Sequence, residues 1–496
     1  MAKKLYKSFL IVTIFNVVTR LISFVFHIYL SRELGAENIG IFQIACSMLI
    51  LFVCFSSSGF PVTLSRKIAQ YDAIGEYTHS ESMLTSTLIM TSVISTFICC
   101  FFYIFPTSLN SIFTNPNCHK AFMLLLPSLL SMSVYSTLRS WFWGKKRYTL
   151  YSATELLDEV CEIIAIITIL SVGMFTSSKY NAIALGHSIG DIVCVIILIV
   201  IFIIFGGKLK KPSHFKEIAI SATPITTTRL IGSLISSMIA LILPTLLVGG
   251  GLTISEATSE YGRMSGMVMP IILAPGTIVS SLIVVLIPDL ASIVSKKGIL
   301  ATHDKIKNCI IASTLISGVF MSIFVICGND IGMLLYNDEK VGNMIVWSTL
   351  IIIPLVLNQL TASILNTLGK ENVTFVSSLI SSIGMIITIM TTSKSLLIYT
   401  YPLSLFVYHV IGLMIGGYKL INHTKINTKF IISVIFISIV SFVICSILGL
   451  VKKSYDDFNI ILRLGISTML IVVMYSIFLY PYIKKVIKGI KARKTN

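Results

Sequence analysis

The sequence predicts an all-α polytopic membrane protein: fourteen transmembrane helices, laid out as two pseudo-symmetric six-helix lobes around a central cavity, plus two C-terminal helices. Three observations carry this. Of the 496 residues, 55% are hydrophobic and 12% charged, against roughly 25% charged in a soluble protein. The apolar residues fall in long blocks rather than in heptads or amphipathic stripes. Short motifs recur about half a chain apart. The first two make the bilayer the solvent and exclude both a soluble enzyme and a disordered chain.

A spanning helix needs about 20 mostly apolar residues, because about 30 Å of hydrocarbon is crossed at 1.5 Å per residue. On that rule the spans are 6–31, 39–64, 83–105, 120–143, 149–173, 181–206, 217–247, 261–292, 306–328, 342–368, 372–393, 396–420, 429–451 and 460–483. The first follows Lys3, Lys4 and Lys7 and resembles a signal peptide. Its apolar run from Leu5 to Leu30 is too long for an h-region and precedes no small-residue cleavage site, so it is expected to be retained. Prolines 61, 127, 224, 244, 270, 275, 288 and 354 interrupt spans. Each removes a helical hydrogen bond and permits a bend. The stretch holding Pro270, Pro275 and Gly276 in span eight is the strongest hinge candidate.

Charge orients the spans. Fourteen crossings put both termini and alternate loops on one side, and these segments hold 26 of the 38 basic residues. Cytoplasmic loops collect Lys and Arg, so both termini are expected in the cytoplasm of a multi-pass cell-membrane protein. This topology accounts for the net charge of +17. Nucleic-acid binding would need a folded basic soluble face, and no loop is long enough to make one. Anionic membrane lipids are the expected partners of the C-terminal Lys run. The ten Cys show no CxxC and no His at metal spacing, which argues against a disulfide framework or a zinc site.

Thr19-Arg20-Leu21-Ile22-Ser23 recurs as Thr228-Arg229-Leu230-Ile231-Gly232, Phe60-Pro61 as Ile287-Pro288, and Leu126-Pro127 as Ile353-Pro354. Six spans separate the copies, so the halves share one orientation about an axis along the membrane normal. The expected organisation is an N-terminal lobe at 1–206, a C-terminal lobe at 207–421, and helices thirteen and fourteen with a basic tail at 422–496.

Intramembrane charge marks the candidate site. An arginine at a span centre costs at least about 2.5 kcal/mol, so it normally faces a wet cavity or a partner. Arg20 and Arg229 lie deep in their spans. Arg139 and Arg463 are nearer span ends, where they can snorkel, and Arg263 is near the outer entrance of span eight. The guanidinium fork suits bidentate capture of phosphate, so Arg20, Arg229, Arg263 and Arg139 are the substrate-binding candidates. In span five, Glu155, Asp158, Glu159 and Glu162 share one helical face. Three roles remain open for these acids: pairing with arginines, binding a cation or proton, or lining the inner mouth of the cavity. Asp191 and Asp289 are read as structurally paired, and His27 and His187 as satisfied core groups.

No Walker loop, Ser/His/Asp set or HExxH is present and the loops are short, so neither enzymatic chemistry nor a cofactor is expected. The segments Leu30-Ser31-Arg32-Glu33-Leu34-Gly35-Ala36-Glu37-Asn38-Ile39-Gly40 and Gly59-Phe60-Pro61-Val62-Thr63-Leu64-Ser65-Arg66 resemble the opening of the stage V sporulation protein B group. That group belongs to the multidrug, oligosaccharidyl-lipid and polysaccharide (MOP) flippase superfamily. Leu138-Arg139-Ser140-Trp141-Phe142-Trp143-Gly144 and Glu260-Tyr261-Gly262-Arg263-Met264-Ser265-Gly266-Met267 are similar to its spans four and eight.

The resemblance implies translocation of undecaprenyl-diphosphate-linked saccharide by alternating access, with a role in peptidoglycan precursor traffic for the spore cortex and cell-wall synthesis proteins as candidate partners. It places Arg20 and Arg263 at positions matching cavity arginines of related lipid II flippases. Two positions depart from it: Phe26 stands where those flippases commonly have a second arginine, and Glu162 where the sporulation group has one. The rival expectations are a cation-coupled drug or small-molecule exporter, driven through the span-five acids, and a non-transporting scaffold.

Overall fold

The computed structural model describes residues 2–110, 112–173, 178–426, 429–455, 457–482 and 484. Side chains are described from position 12 on, except at 281, 282, 284, 285, 287–289, 291, 292, 295–297 and 453. The basic tail from Lys485 on, and the side chains of Lys3, Lys4, Lys7, Pro288 and Asp289, lie outside the described residues. Helices carry nearly all of the described chain, and it contains no strand. By contact the chain forms two compact units, 1–262 and 263–496.

In the first unit, α1 (Ala2–Ser57) holds the first span and most of the second, broken once at Gly35 with φ 77 and ψ 168. Only glycine adopts that backbone without strain, which explains the Leu34-Gly35-Ala36 segment. A second break at Ser58-Gly59 starts α2 (Phe60–Ala73), with Pro61 in its first turn, where its missing N–H costs nothing. A Cβ on Gly59 would lie 2.2 Å from Thr226 Oγ1, so the glycine lets the α1–α2 corner sit directly on α7. The unit continues with α3 (Tyr77–Ile104), α4 (Pro116–Gly144), α5 (Tyr148–Val172), α6 (Lys179–Ile204), α7 (Phe215–Gly249) and α8 (Ile254–Gly262). Asn115 caps α4, its side chain accepting from the Asn117 N–H at 3.0 Å.

Lipid tails give helices no hydrophobic reason to associate, so small residues and hydroxyls do the joining. On α6, Gly186 and Gly190 are so close to α5 that an added Cβ would be 2.7 Å from Ile166 Cα and 2.6 Å from Glu162 Cα. Buried Ser133 on α4 bonds Ser56 of α1 at 3.2 Å and Ser95 of α3 at 2.6 Å.

The division into units falls after Gly262, whereas the sequence places the lobe boundary after 206. The cause is local: the α6–α7 connection is tied to α3. The Lys210 N–H donates to Thr85 at 3.1 Å, Ser82 donates to the Lys211 carbonyl at 2.8 Å, and the Ser213 N–H donates to Ser86 at 2.8 Å. Lys67 of α2 pairs with Glu217 of α7 at 2.5 Å. Beyond this, α7 packs on α1, α2 and α3.

The second unit opens with a π-helical turn, Arg263–Val268, and continues as α9 (Met269–Lys297), α10 (His303–Tyr336), α11 (Glu339–Ser348), α12 (Ile352–Thr367), α13 (Glu371–Leu396), α14 (Thr400–Thr424), α15 (Lys429–Lys452) and α16 (Ile460–Phe478). The 3-10 turn Thr349–Ile351 joins α11 to α12 within one span, just before Pro354. The last two helices are pinned to α10 by charge: buried Asp330 meets Lys452 at 2.7 Å and Arg463 at 2.8 Å. Tyr475 of α16 bonds Ser322 of α10 at 3.0 Å.

Among the described residues, eleven helical stretches are long and apolar enough to cross a membrane. Two are double-length: Val12–Ala73, broken at Gly35, and Glu371–Thr424, broken by the 3-10 turn Leu397–Tyr399. A further helix, α5, has 25 residues but carries four acids. The count of fourteen is compatible with these helices. The chain is a multi-pass, all-helical membrane protein.

Candidate functional site

Within the first unit, four polar residues in the first span of α1 lie on one side of the helix. Asn16, Arg20, Ser23 and His27 follow each other at spacings of three or four, and Asn16 and Arg20 are exposed. Arg20 has no hydrogen-bond or ion-pair partner among the described residues. Helix α7 packs on α1 and exposes Thr223, Thr227, Thr228, Arg229 and Ser236. The Arg229 guanidinium donates from Nη1 to the Ser58 carbonyl at 2.9 Å, an acceptor freed by the break between α1 and α2. Exposed polar groups at this depth of a spanning helix cannot favourably face lipid.

The four acids of α5 are placed differently from one another. Glu155 pairs with Arg139 at 2.5 Å. Arg139 also donates from Nε to the Tyr151 carbonyl at 3.2 Å, and its guanidinium carbon is 4.0 Å from the Tyr151 ring centre. The same carbon is 5.8 Å from the Tyr135 ring centre, so the side chain is enclosed by its own lobe. Glu162 lies 2.8 Å from His187 Nδ1, and His187 Nε2 is 3.7 Å from Asp191 one turn on. Asp158 lies beside Cys194, and Glu159 beside Ser23 of α1. His27 reaches Gln43 at 3.3 Å. A row of carboxylates on α5 thus meets a histidine and an aspartate on α6, brought together by the Gly186 and Gly190 contacts. The pairing was readable in principle, since Gly186-His187-Ser188-Ile189-Gly190-Asp191 combines small residues four apart with His and Asp at i and i+4.

In the second unit, Arg263 is the first residue of the π-helical turn, and its Nε donates to Asp338 Oδ2 at 2.7 Å. Periodicity gave no sign of that turn: an extra residue rotates the faces that follow it, but the stretch from Met264 to Leu273 is apolar or small all round and has no stripe to shift. Pro270 stands in the first turn of α9, and the helix continues without a break through Pro275. A Cβ on Gly276 would lie 3.1 Å from both Gln359 Oε1 and Leu355 Cδ2, so this glycine serves a close crossing with α12. Among the described residues, no group of three or more His, Cys, Asp or Glu is disposed to hold a metal ion.

Comparison with known proteins places these features in a family. Residues 5–294 match the family described as polysaccharide biosynthesis protein. Stage V sporulation protein B of Bacillus subtilis (strain 168) is 22% identical over 354 residues, covering 68% of each chain. Among solved structures, the lipid II flippase MurJ in an inward closed conformation superposes with a TM-score of 0.75 at 13% identity, over 96% of this chain and 100% of that one. An inward-facing multidrug resistance MATE family transporter of the MOP superfamily gives 0.65 at 12% identity, over 82% and 95%. The match over more than half its length shows that the chain belongs to the polysaccharide biosynthesis protein family, and the superpositions show that it shares the fold of those membrane proteins.

Proposed function

We propose that the protein is a flippase that carries an undecaprenyl-diphosphate-linked saccharide, a lipid II-like peptidoglycan precursor, across the cytoplasmic membrane by alternating access of two lobes. Arg20, Arg229 and Arg263 hold the diphosphate, the polar head crosses through the cavity, and the isoprenoid stays in lipid. The observation that carries this reading is Arg20: a guanidinium deep in a span, exposed, with no partner among the described residues. Such a group requires an anion or water. The names of the similar proteins, a lipid II flippase and a sporulation protein, favour the same substrate class and a role in the spore cortex, and the bias of basic residues to alternate loops favours cytoplasmic termini. Outward movement of two negative charges is driven by an inside-negative potential at about 2.3 kcal/mol per charge per 100 mV.

A flipping assay with purified protein in liposomes tests it. Arg20→Ala and Arg263→Ala, folded like the wild type, are expected to lose transport of lipid-linked sugar. Transport surviving both changes would refute the assignment.

A second reading is favoured by one feature, the Glu162–His187–Asp191 cluster. It would suit a Na⁺- or H⁺-coupled exporter of the MATE type, in which Glu155, Asp158, Glu159 and Glu162 serve the coupling ion. In that case transport stops in Asp158→Asn and survives the loss of Arg20.

A further inference from the structure

Arg263 does not stand alone. Its Nε meets Asp338 Oδ2 at 2.7 Å, and the two side chains are only 19% and 22% exposed. Asp338 is held firmly for that contact. Its other oxygen, Oδ1, accepts from the backbone N–H groups of Lys340 at 2.9 Å and Val341 at 3.4 Å, capping α11. Just before it, Asn337 turns the chain in the left-handed region with φ 53. Gly332 approaches so closely that its Cβ would be 2.4 Å from Gly342 N and 3.1 Å from the Asp338 carbonyl oxygen. The carboxylate is thus fixed by the backbone around it, while Arg263 sits on a π-helical turn, an irregular helix form concentrated at functional sites.

We propose that Asp338 is the resident counter-ion of Arg263: a positioning residue that sets which anions the arginine accepts. The proposal rests on the assignment of Arg263 to substrate binding made above. Because the carboxylate uses Nε, bidentate capture of a phosphate through Nε and a terminal nitrogen requires the carboxylate to give way. An incoming anion therefore meets a neutralised arginine and a repelling carboxylate. A diphosphate carries enough charge to displace Asp338, whereas the single charge of an ordinary anionic phospholipid head group does not. Surrounding lipid is thereby rejected by a built-in repulsive element.

The test uses full-length protein in nanodiscs, with native mass spectrometry reading the binding of undecaprenyl diphosphate and of phosphatidylglycerol. Asp338→Asn keeps a capping side chain and removes the charge; Asp338→Glu keeps the charge. In Asp338→Asn, phosphatidylglycerol binding is expected to tighten about two- to fivefold, the range a partly exposed ion pair allows. The preference for diphosphate falls accordingly, and Asp338→Glu restores it. The rate at which phenylglyoxal modifies Arg263 rises in Asp338→Asn. An unchanged preference and an unchanged modification rate, with wild-type diphosphate binding intact, would overturn the counter-ion role alone. Absence of diphosphate binding in the wild type would overturn both this role and the function on which it rests.

Discussion

Replacing Gly190 with alanine adds one methyl group where α6 and α5 touch backbone to backbone. The new Cβ would lie 2.6 Å from Glu162 Cα and 3.0 Å from Glu162 N. Ordinary carbon contacts need about 3.5–4.0 Å, so α6 must move away from α5 by about 1 Å. No flexible side chain is available to absorb the overlap. Overpacking of this kind costs about 1–3 kcal/mol, and the same displacement stretches the 2.8 Å approach of His187 to Glu162. The control is Gly465→Ala in the interior of α16, where nothing lies within 4 Å of the added atom. There the gain in helix propensity, about 1 kcal/mol, is uncompensated by any clash. Thermal unfolding in detergent, read by thiol exposure of buried Cys161 and Cys194, should show a lower midpoint for Gly190→Ala and an equal or higher one for Gly465→Ala. Equal midpoints for Gly190→Ala and the wild type would refute the close α5–α6 crossing and the acid–histidine cluster that depends on it.

Three other outcomes follow from the geometry. Asp330→Asn removes the carboxylate that Lys452 and Arg463 share. Breaking a buried pair costs about 3–5 kcal/mol, reduced here by the partial exposure of both cations; limited proteolysis should cut the α15–α16 connection faster, and an unchanged rate would contradict the anchoring role. Gly35→Ala meets no neighbour and should cost only the strain of its φ 77, ψ 168 backbone, about 1–3 kcal/mol, so a loss several times larger would show that more than a turn depends on the glycine. Arg139→Lys keeps the charge but loses the planar stack on Tyr151; it should destabilise the protein by about 1 kcal/mol while leaving lipid-linked sugar transport near wild type. Abolished transport with unchanged stability would return Arg139 to the binding site.

The parts of the fold that could be read from the chain are those the bilayer dictates. Apolar length located the spans, whereas the break at Gly35 between the first two, in a backbone that only glycine holds without strain, is shown by the structure. The break at Ser58-Gly59 carried a signal, since Ser56-Ser57-Ser58-Gly59 and the bend expected at Pro61 interrupt the apolar run, whereas the π-helical turn at Arg263–Val268 was hidden in a stretch too apolar to show a change of phase. The division after Gly262 was equally hidden, since it depends on hydroxyl-to-backbone bonds between Ser82, Thr85, Ser86 and the 210–213 segment, which carry no hydropathy signal. At the candidate site, charge in an apolar run singled out the arginines and the acids of α5 but not Asp338, which lies in a polar turn. Only contact geometry separates Arg139, enclosed by Glu155 and two tyrosines, from Arg20, which meets no described partner. His187 reads as a satisfied core group and Asp191 as a paired acid, but the sequence does not name the partner, Glu162, because it lies on another helix.

The central claim is that Arg20 and Arg229 present positive charge to a doubly anionic lipid head group. Lipids retained by the purified protein, identified by mass spectrometry, test it most directly. The account predicts a polyprenyl diphosphate species co-purifying with the wild type and depleted at least tenfold in Arg20→Ala/Arg229→Ala, with zwitterionic phospholipids unchanged. Equal retention of that species by the double variant, or its absence from the wild type, would contradict the account.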